Sequence, residues 1–269
     1  MRNESYTDFA RVYDTFMDET PYEEWKEFLI GLIVRYGVSV PINRRNEQDV
    51  LESERNLVVD LGCGTGSLTE LMAEAGYDMI GVDNSQEMLR IAMDKRDAAG
   101  HETLYLLQDM RELELYSTVG TVLSVCDSVN YLLTEEDLLQ TFRLVNNYLY
   151  PGGIFIFDFN TVYKYAEVIG DTTIAENREE CSFIWDNYYH EEEQINEYDL
   201  TIFVKEQKDL FRRYEETHLQ RGYTLEQMKR LIEQAGLAFV AAIDADTHGE
   251  VTRESERIYC VAKEHTKKM

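Results

Sequence analysis

No window of this sequence approaches the roughly 18 uninterrupted apolar residues that a membrane span requires. The opening stretch, MRNESYTDFARVYD, lacks the apolar core and small-residue cleavage site of a secretory signal. A cytoplasmic location with no membrane contact is therefore expected. Cysteine is sparse, and Cys63, Cys126, Cys181 and Cys260 stand far apart without a CxxC pair. They read as small buried thiols of a reducing compartment, not as a disulfide framework. The five histidines form no HExxH and no Cys/His cluster, so no structural or catalytic metal is expected. Positive charge is scarce: Lys+Arg number 26 against 52 Asp+Glu, a net charge of −26. A field of that sign repels phosphate backbones, and nucleic-acid binding would need a partner to supply basic surface. Basic doublets are few and scattered, at Arg44-Arg45, Lys95-Arg96, Arg212-Arg213, Lys229-Arg230 and the Lys267-Lys268 tail. A small neutral or cationic substrate suits this balance better. Internal repeats and low-complexity segments are also absent.

What the chain does have is core material and alternation. A hydrophobic fraction of 44% with 12% aromatics suffices for a packed interior, and 269 residues make one large α/β domain with or without an insertion. Residues 5–36 carry apolar side chains at helical spacing (Phe9, Val12, Tyr13, Phe16, Met17, then Trp25, Phe28, Leu29, Leu32 and Ile33), interrupted at Thr20-Pro21. Residues 37–55 are polar and read as a connection. From Asn56 onward, apolar runs at 57–61, 79–82, 103–107, 119–125 and 153–159 alternate with helical patterns at 67–75, 85–95 and 134–149. That order implies parallel βαβ units. Between 160 and 222 the alternation stops. Beyond a possible helical turn at 163–169 there are three β-like segments, 181–189, 194–205 and 210–221, which read as an antiparallel meander covering something. The α/β pattern resumes at YTLEQMKRLIEQAG, where Thr224 and Gln227 predict a capping box, and two strands follow near 237–243 and 257–262. The expected organisation is an N-terminal helical cover and linker (1–55), a nucleotide-binding core (56–160 and 223–265) and a β insertion (161–222). The insertion would serve as a lid, a substrate element or a dimer interface.

The first core strand ends in VVDLGCGTGSLTELM. A dinucleotide fingerprint reads GxGxxG and brings backbone close to a pyrophosphate. Here the turn is Gly62-Cys63-Gly64-Thr65-Gly66, led by Asp60. A carboxylate is ill placed beside a pyrophosphate and well placed beside an ammonium group. The second strand ends in GVDNS, where Asp83 could accept both hydroxyls of a ribose. The third runs into LLQDM, where Asp109 could accept from an adenine amino group and Met110 could pack on its ring. The fourth ends in CDSVNYLL, which brings Cys126, Asp127, Asn130 and Tyr131 to the carboxyl edge of the sheet, where ligands of such sheets bind.

With LYPGGIFIFDFN, these stretches resemble the class I S-adenosylmethionine-dependent methyltransferases. FARVYD, LFRRYEETHLQRGY and ESERIYCVAKE narrow the likeness to a bacterial family with an antiparallel insertion and no assigned substrate, from Tyr6 to Lys263. The resemblance implies a Rossmann-like seven-stranded sheet, its last strand antiparallel to the rest, with S-adenosylmethionine as cofactor. It also implies a cofactor site. Gly62, Gly64 and Gly66 would let backbone pass the methionine part, Asp60 would help hold its ammonium, Asp83 would take the ribose, and Asp109 with Met110 the adenine. Tyr13 would help close the pocket, and Asn84, Gln108 and Cys126 are further cofactor-binding candidates. Cys63 and Met88 fall within it by position, although their side chains read as packing beneath the turn and filling the helix core. Asp127, Tyr131 and His218 are the catalytic candidates, and Asn130 and Arg221 the substrate-side ones. His218 reads equally as a histidine satisfied within a small sheet. The acceptor expected is a small molecule, with RNA, protein and a non-catalytic binding module as alternatives, and a homodimer is possible. FDFN lacks the Asn-Pro-Pro-Tyr type signature linked with methylation of nucleobase or glutamine amino groups.

Overall fold

The computed structural model describes residues 9–44, 46–47 and 53–268. Tyr6, the start of the first helical pattern, Arg45 and part of the polar connection lie outside the described residues.

Two helices open the chain, α1 (Ala10–Phe16) and α2 (Tyr22–Tyr36), separated where Pro21 cannot donate an amide to a continuing helix. The core then alternates β1 (Leu57–Leu61), α3 (Ser67–Glu74), β2 (Asp78–Asp83), α4 (Gln86–Ala99), β3 (Leu104–Leu107), β4 (Val119–Ser124), α5 (Glu135–Tyr148) and β5 (Leu149–Asn160). The insertion supplies β6 (Thr173–Asn177), β7 (Cys181–His190), β8 (Ile195–Gln207) and β9 (Leu210–Arg221), and the chain closes with α6 (Leu225–Gln234), β10 (Ala238–Asp244) and β11 (Arg257–Lys263).

Seven strands form one sheet in the order β10-β11-β5-β4-β1-β2-β3, with β11 antiparallel to both its neighbours and the other pairs parallel. This is the expected Rossmann-like arrangement. The order reverses between β1 and β4, so their carboxyl ends flank the crevice where such sheets bind ligands. Because β1 and β4 are buried on both faces, their sequences LVVDL and VGTVLS are nearly continuous apolar runs. One face packs Val59, Val122, Phe155 and Phe157 against Phe142 of α5 and Met228 of α6. The other packs Val58, Leu123, Ile156 and Tyr259 against Leu29 of α2 and Met72 of α3. Thr134 caps α5, and Thr224 with Gln227 makes the expected capping box on α6.

The meander is one strand larger than the sequence predicts. β6 pairs with the outer edge of β7 in a four-stranded sheet ordered β6-β7-β8-β9. Its sequence, TIAEN, is exposed along nearly its whole length and shows no apolar alternation, so it carries no strand signal. The expected turn after β5 is there, as a single π-helical stretch at Lys164–Ile169. The inner face of this sheet (Phe183, Leu200 and Ile202) packs on Val12, Phe9 and Phe16 of the α1 region. Thus α1 lies between the insertion and the core.

Candidate active site

The glycine turn joins β1 to α3 across the end of β2. The Val82 carbonyl accepts from the amides of Gly62 (2.7 Å) and Cys63 (3.0 Å). Gly62, Gly64 and Gly66 all take positive φ (84°, 54° and 73°), a region that L side chains enter only with strain. Their surroundings differ. A Cβ on Gly62 would stand 2.6 Å from Ser128 Oγ and one on Gly66 2.5 Å from the Tyr105 hydroxyl, whereas one on Gly64 would meet nothing within 4 Å. Gly64 therefore faces open space at the mouth of the crevice. Cys63 packs its thiol beneath the turn toward Gly81, and burial pushes its pKa well above the ordinary range.

Two carboxylates stand behind this turn. Asp60 is 2% exposed and accepts from the Thr69 hydroxyl at 2.5 Å; burial, and then the nearby Asp83, raise its pKa to about 6. Asp83 accepts from the Gly64 and Ser85 amides, each at 2.8 Å, which ties the glycine turn to β2; burial raises its pKa too. Asn84 beside it is exposed, while Met88 is buried in α4.

After β3, Gln108 braces its loop with both ends of its amide, donating to the Glu114 carbonyl (3.0 Å) and accepting from the Glu114 amide (2.9 Å). Asp109 caps the following short turn and pairs with the Arg111 guanidinium at 2.5 Å, which holds its pKa low. Met110 reaches the glycine turn, its Cε 3.6 Å from where a Gly62 Cβ would stand.

Beyond β4 the backbone turns sharply. Cys126 and Asp127 both take positive φ, 61° and 54°. Their amides donate to the two oxygens of Asp158 on β5, at 3.1 and 2.7 Å. Asp127 accepts at 2.5 Å from the amide of Gln220 on β9. Two residues back on the same inner face, His218 is 4% exposed, with Nε2 3.2 Å from Glu216 and Nδ1 3.4 Å from the Tyr131 hydroxyl. Asp127, Tyr131 and His218 are thus brought together where the insertion meets the core. Tyr13, on α1, interacts through its hydroxyl with Cys126 and Tyr22.

Two expected substrate-side residues do not face this space. Asn130 is fully buried, donates to the carbonyls of Asn160 (2.9 Å) and Arg221 (2.7 Å), and accepts from the Asn160 amide (2.9 Å). With its polar atoms so engaged, it clamps the end of β5 to the end of β9. Arg221 lies on the opposite face of β9 from His218, donates to the Leu133 carbonyl at 3.1 Å, and stacks over Tyr223. Strand parity already placed it there, since odd and even positions alternate across a sheet.

Several site residues escape the sequence reading. Asp14 of α1 accepts from Thr65 of the glycine turn (2.6 Å) and pairs with Lys95 of α4 (2.7 Å). Glu216 accepts from the Phe9 amide at 3.0 Å. Gln220 also accepts from Tyr165 (2.6 Å) and from Tyr198. Only Asp158 left a local signal, as a lone carboxylate within the apolar run IFIFDFN.

The acceptor chemistry suits a ligand bearing an ammonium and hydroxyl groups rather than a pyrophosphate: a buried carboxylate at the end of β1 and a half-buried one at the end of β2, with an open glycine between them. Lys95 beside the turn is already paired with Asp14. Among the described residues no group of His, Cys, Asp or Glu side chains could hold a metal ion, and no helix is long and apolar enough to cross a membrane.

Comparison with known proteins agrees with this chemistry. Residues 58–153 match the methyltransferase domain family. A relative from Geobacillus sp. (strain WCH70), named as a putative methyltransferase, is 35% identical over 260 residues, covering 96% of this chain and 99% of its own. The crystal structure of an S-adenosylmethionine-dependent methyltransferase from Clostridium acetobutylicum ATCC 824 superposes with a TM-score of 0.81 at 28% identity, over 97% of this chain and 99% of that one. A dTDP-3-amino-3,4,6-trideoxy-alpha-D-glucopyranose N,N-dimethyltransferase of Streptomyces venezuelae is 32% identical over 38% of this chain and 42% of its own length. This chain belongs to the same bacterial family as the Geobacillus protein, one of class I methyltransferases that use S-adenosylmethionine.

Proposed function

We propose that this enzyme methylates a small neutral or cationic acceptor, held between the carboxyl edge of the core sheet and the inner face of the inserted sheet. The observation that carries this reading is the meeting of Asp127 and Tyr131 from the core with Gln220 and His218 from the insertion, within 2.5–3.4 Å. The resemblance to an amino-sugar N,N-dimethyltransferase over 104 residues supports it, as does the net charge of −26.

When bound, S-adenosylmethionine supplies an electrophilic methyl group on a positively charged sulfur. The chain must hold it, exclude water and align the acceptor. Asp60, Gly64 and Asp83 are the residues that would hold its polar parts, with Met110 beside the turn. Asp127 would orient the acceptor, and Tyr13 on α1 would close the near side. His218, supported by Glu216 and next to Tyr131, would take up a proton from an acceptor protonated at neutral pH.

Calorimetric titration with S-adenosylhomocysteine tests the cofactor half of this reading. Micromolar binding should weaken at least tenfold in Asp83→Ala, about 1.4 kcal/mol. A panel of small amines, phenols and carboxylic acids assayed with S-adenosylmethionine tests the acceptor half. Turnover confined to the carboxylic acids, or unchanged kcat in Asp127→Ala and Tyr131→Ala with a saturating acceptor, would reject it.

A further inference from the structure

We propose that Asp158 is a positioning residue: it holds the Cys126–Asp127 turn in its left-handed form, and through that turn sets both Asp127 and the glycine turn. The inference rests on the cofactor and acceptor reading above for its functional consequence, but not for the clamp itself.

Two consecutive non-glycine residues in the left-handed region are costly, because each Cβ crowds neighbouring backbone. Such a conformation needs a compensating contact. It also aims successive amides at one point, forming a concavity suited to an anion. Here the anion comes from the chain itself: Asp158 is fully buried and accepts the Cys126 amide on one oxygen (3.1 Å) and the Asp127 amide on the other (2.7 Å). The nearest cation, Arg257, stands 3.7 Å from Asp158, with its guanidinium 4.8 Å from the ring centre of Trp25 on α2. The buried carboxylate is held by this guanidinium together with the two amides, and only the amides tie it to the turn.

The turn transmits its shape in two directions. Ser128, the next residue, donates its hydroxyl to the Gly62 carbonyl (3.2 Å) and the Val125 carbonyl (3.0 Å), and its Oγ occupies the space a Gly62 side chain would need. Asp127 projects toward Gln220 of the insertion. If the turn relaxed to an extended form, Ser128 would leave Gly62 and Asp127 would leave the insertion. One buried carboxylate on β5 thereby fixes the wall shared by the cofactor side and the acceptor side.

A double-mutant cycle reads the clamp without any ligand. Glycine takes the left-handed region freely, and Asp127→Gly loses the Gln220 bond in either background, so its effect on the melting temperature should be more favourable in an Asp158→Ala background than in the wild type. Additive changes would overturn the proposal. Titration with S-adenosylhomocysteine reads the consequence: Asp158→Ala should bind at least tenfold more weakly, and adding Asp127→Gly should recover a threefold or greater part of the loss. Wild-type affinity in a folded Asp158→Ala, or no recovery with glycine, would overturn it. Where circular dichroism shows Asp158→Ala unfolded, the near-isosteric Asp158→Asn takes its place under the same criteria. If the wild type itself does not bind S-adenosylhomocysteine, the cofactor reading fails, and the stability cycle alone decides the clamp.

Discussion

Gln220 of the inserted sheet donates its side-chain amide to Asp127 at the edge of the core sheet, 2.5 Å away, although the two residues lie 93 positions apart in the chain. The same Gln220 accepts from Tyr165 and Tyr198, and Tyr165 in turn accepts from Asn160 at 3.0 Å. A buried polar network of this kind is most informative when one member is removed, since the groups left behind are buried without their partner.

Gln220→Leu should therefore destabilise the fold by about 1–3 kcal/mol, the usual penalty for leaving buried polar groups unsatisfied. Equilibrium urea unfolding gives the number. A change under ~0.5 kcal/mol would mean that the network is loosely held and that water replaces the lost amide.

The glycines of the turn should separate folding from binding. Gly62→Ala and Gly64→Ala both place a Cβ at positive φ, a strain of about 1–2 kcal/mol. Gly62→Ala must also displace Ser128 Oγ from 2.6 Å, whereas Gly64→Ala meets nothing. We expect Gly64→Ala to remain folded with a modestly lower melting temperature and to lose S-adenosylhomocysteine binding, and Gly62→Ala to lose stability and binding together. Wild-type binding by Gly64→Ala would show that the ligand does not pass over this residue.

The main sheet is legible in the sequence because its signals are local. The apolar runs of β1 to β4 each stop within two residues of a glycine or an aspartate, and the alternation of strand and helix implies parallel units. Asp60 and Asp83 are found the same way, each ending a strand. What escapes is long-range pairing. Neither Asp14, which reaches Thr65, nor Gln220, which reaches Asp127, has a neighbour in sequence that hints at its partner. Asn130 shows the converse difficulty: its place after β4 is that of a ligand-facing residue, and only its bonds to Asn160 and Arg221 reveal a clamp. β6 escapes because an exposed edge strand needs no apolar alternation.

Asp14 should matter to closure more than to folding. Its pair with Lys95 is partly exposed (side chains 40% and 31%), a setting in which ion pairs contribute about 0–1 kcal/mol. Yet this contact and the bond to Thr65 fasten α1 to the glycine turn. Asp14→Ala is expected to shift global stability by less than ~1 kcal/mol while speeding hydrogen exchange across α1 and weakening S-adenosylhomocysteine binding. Unchanged exchange in α1 would mean that its apolar contacts with the inserted sheet suffice to dock it.

Asp60 makes the pH dependence specific. Burial is the first cause of its raised pKa, about 6 when folded against 3.8 for the free side chain, with Asp83 adding to it and the Thr69 hydroxyl opposing. Between those two values the folded state binds more protons than the unfolded chain. Stability from this group is thus fully present below about pH 4 and is lost as pH rises through about 6. At pH 7.5 the buried charge costs on the order of 1–3 kcal/mol. Asp60→Asn keeps an oxygen for the Thr69 hydroxyl and removes the charge, so it should melt higher than the wild type at pH 7.5, with the difference vanishing toward pH 4. Binding should move the other way. A ligand ammonium favours the ionised carboxylate, so wild-type affinity for S-adenosylhomocysteine should fall as pH drops below about 6, and the Asn variant should bind more weakly at pH 7.5 without that dependence. Thermal melts and titrations at pH 4.5, 6 and 7.5 check both, and an Asn variant less stable than wild type at pH 7.5 would show that the buried charge is compensated within the fold.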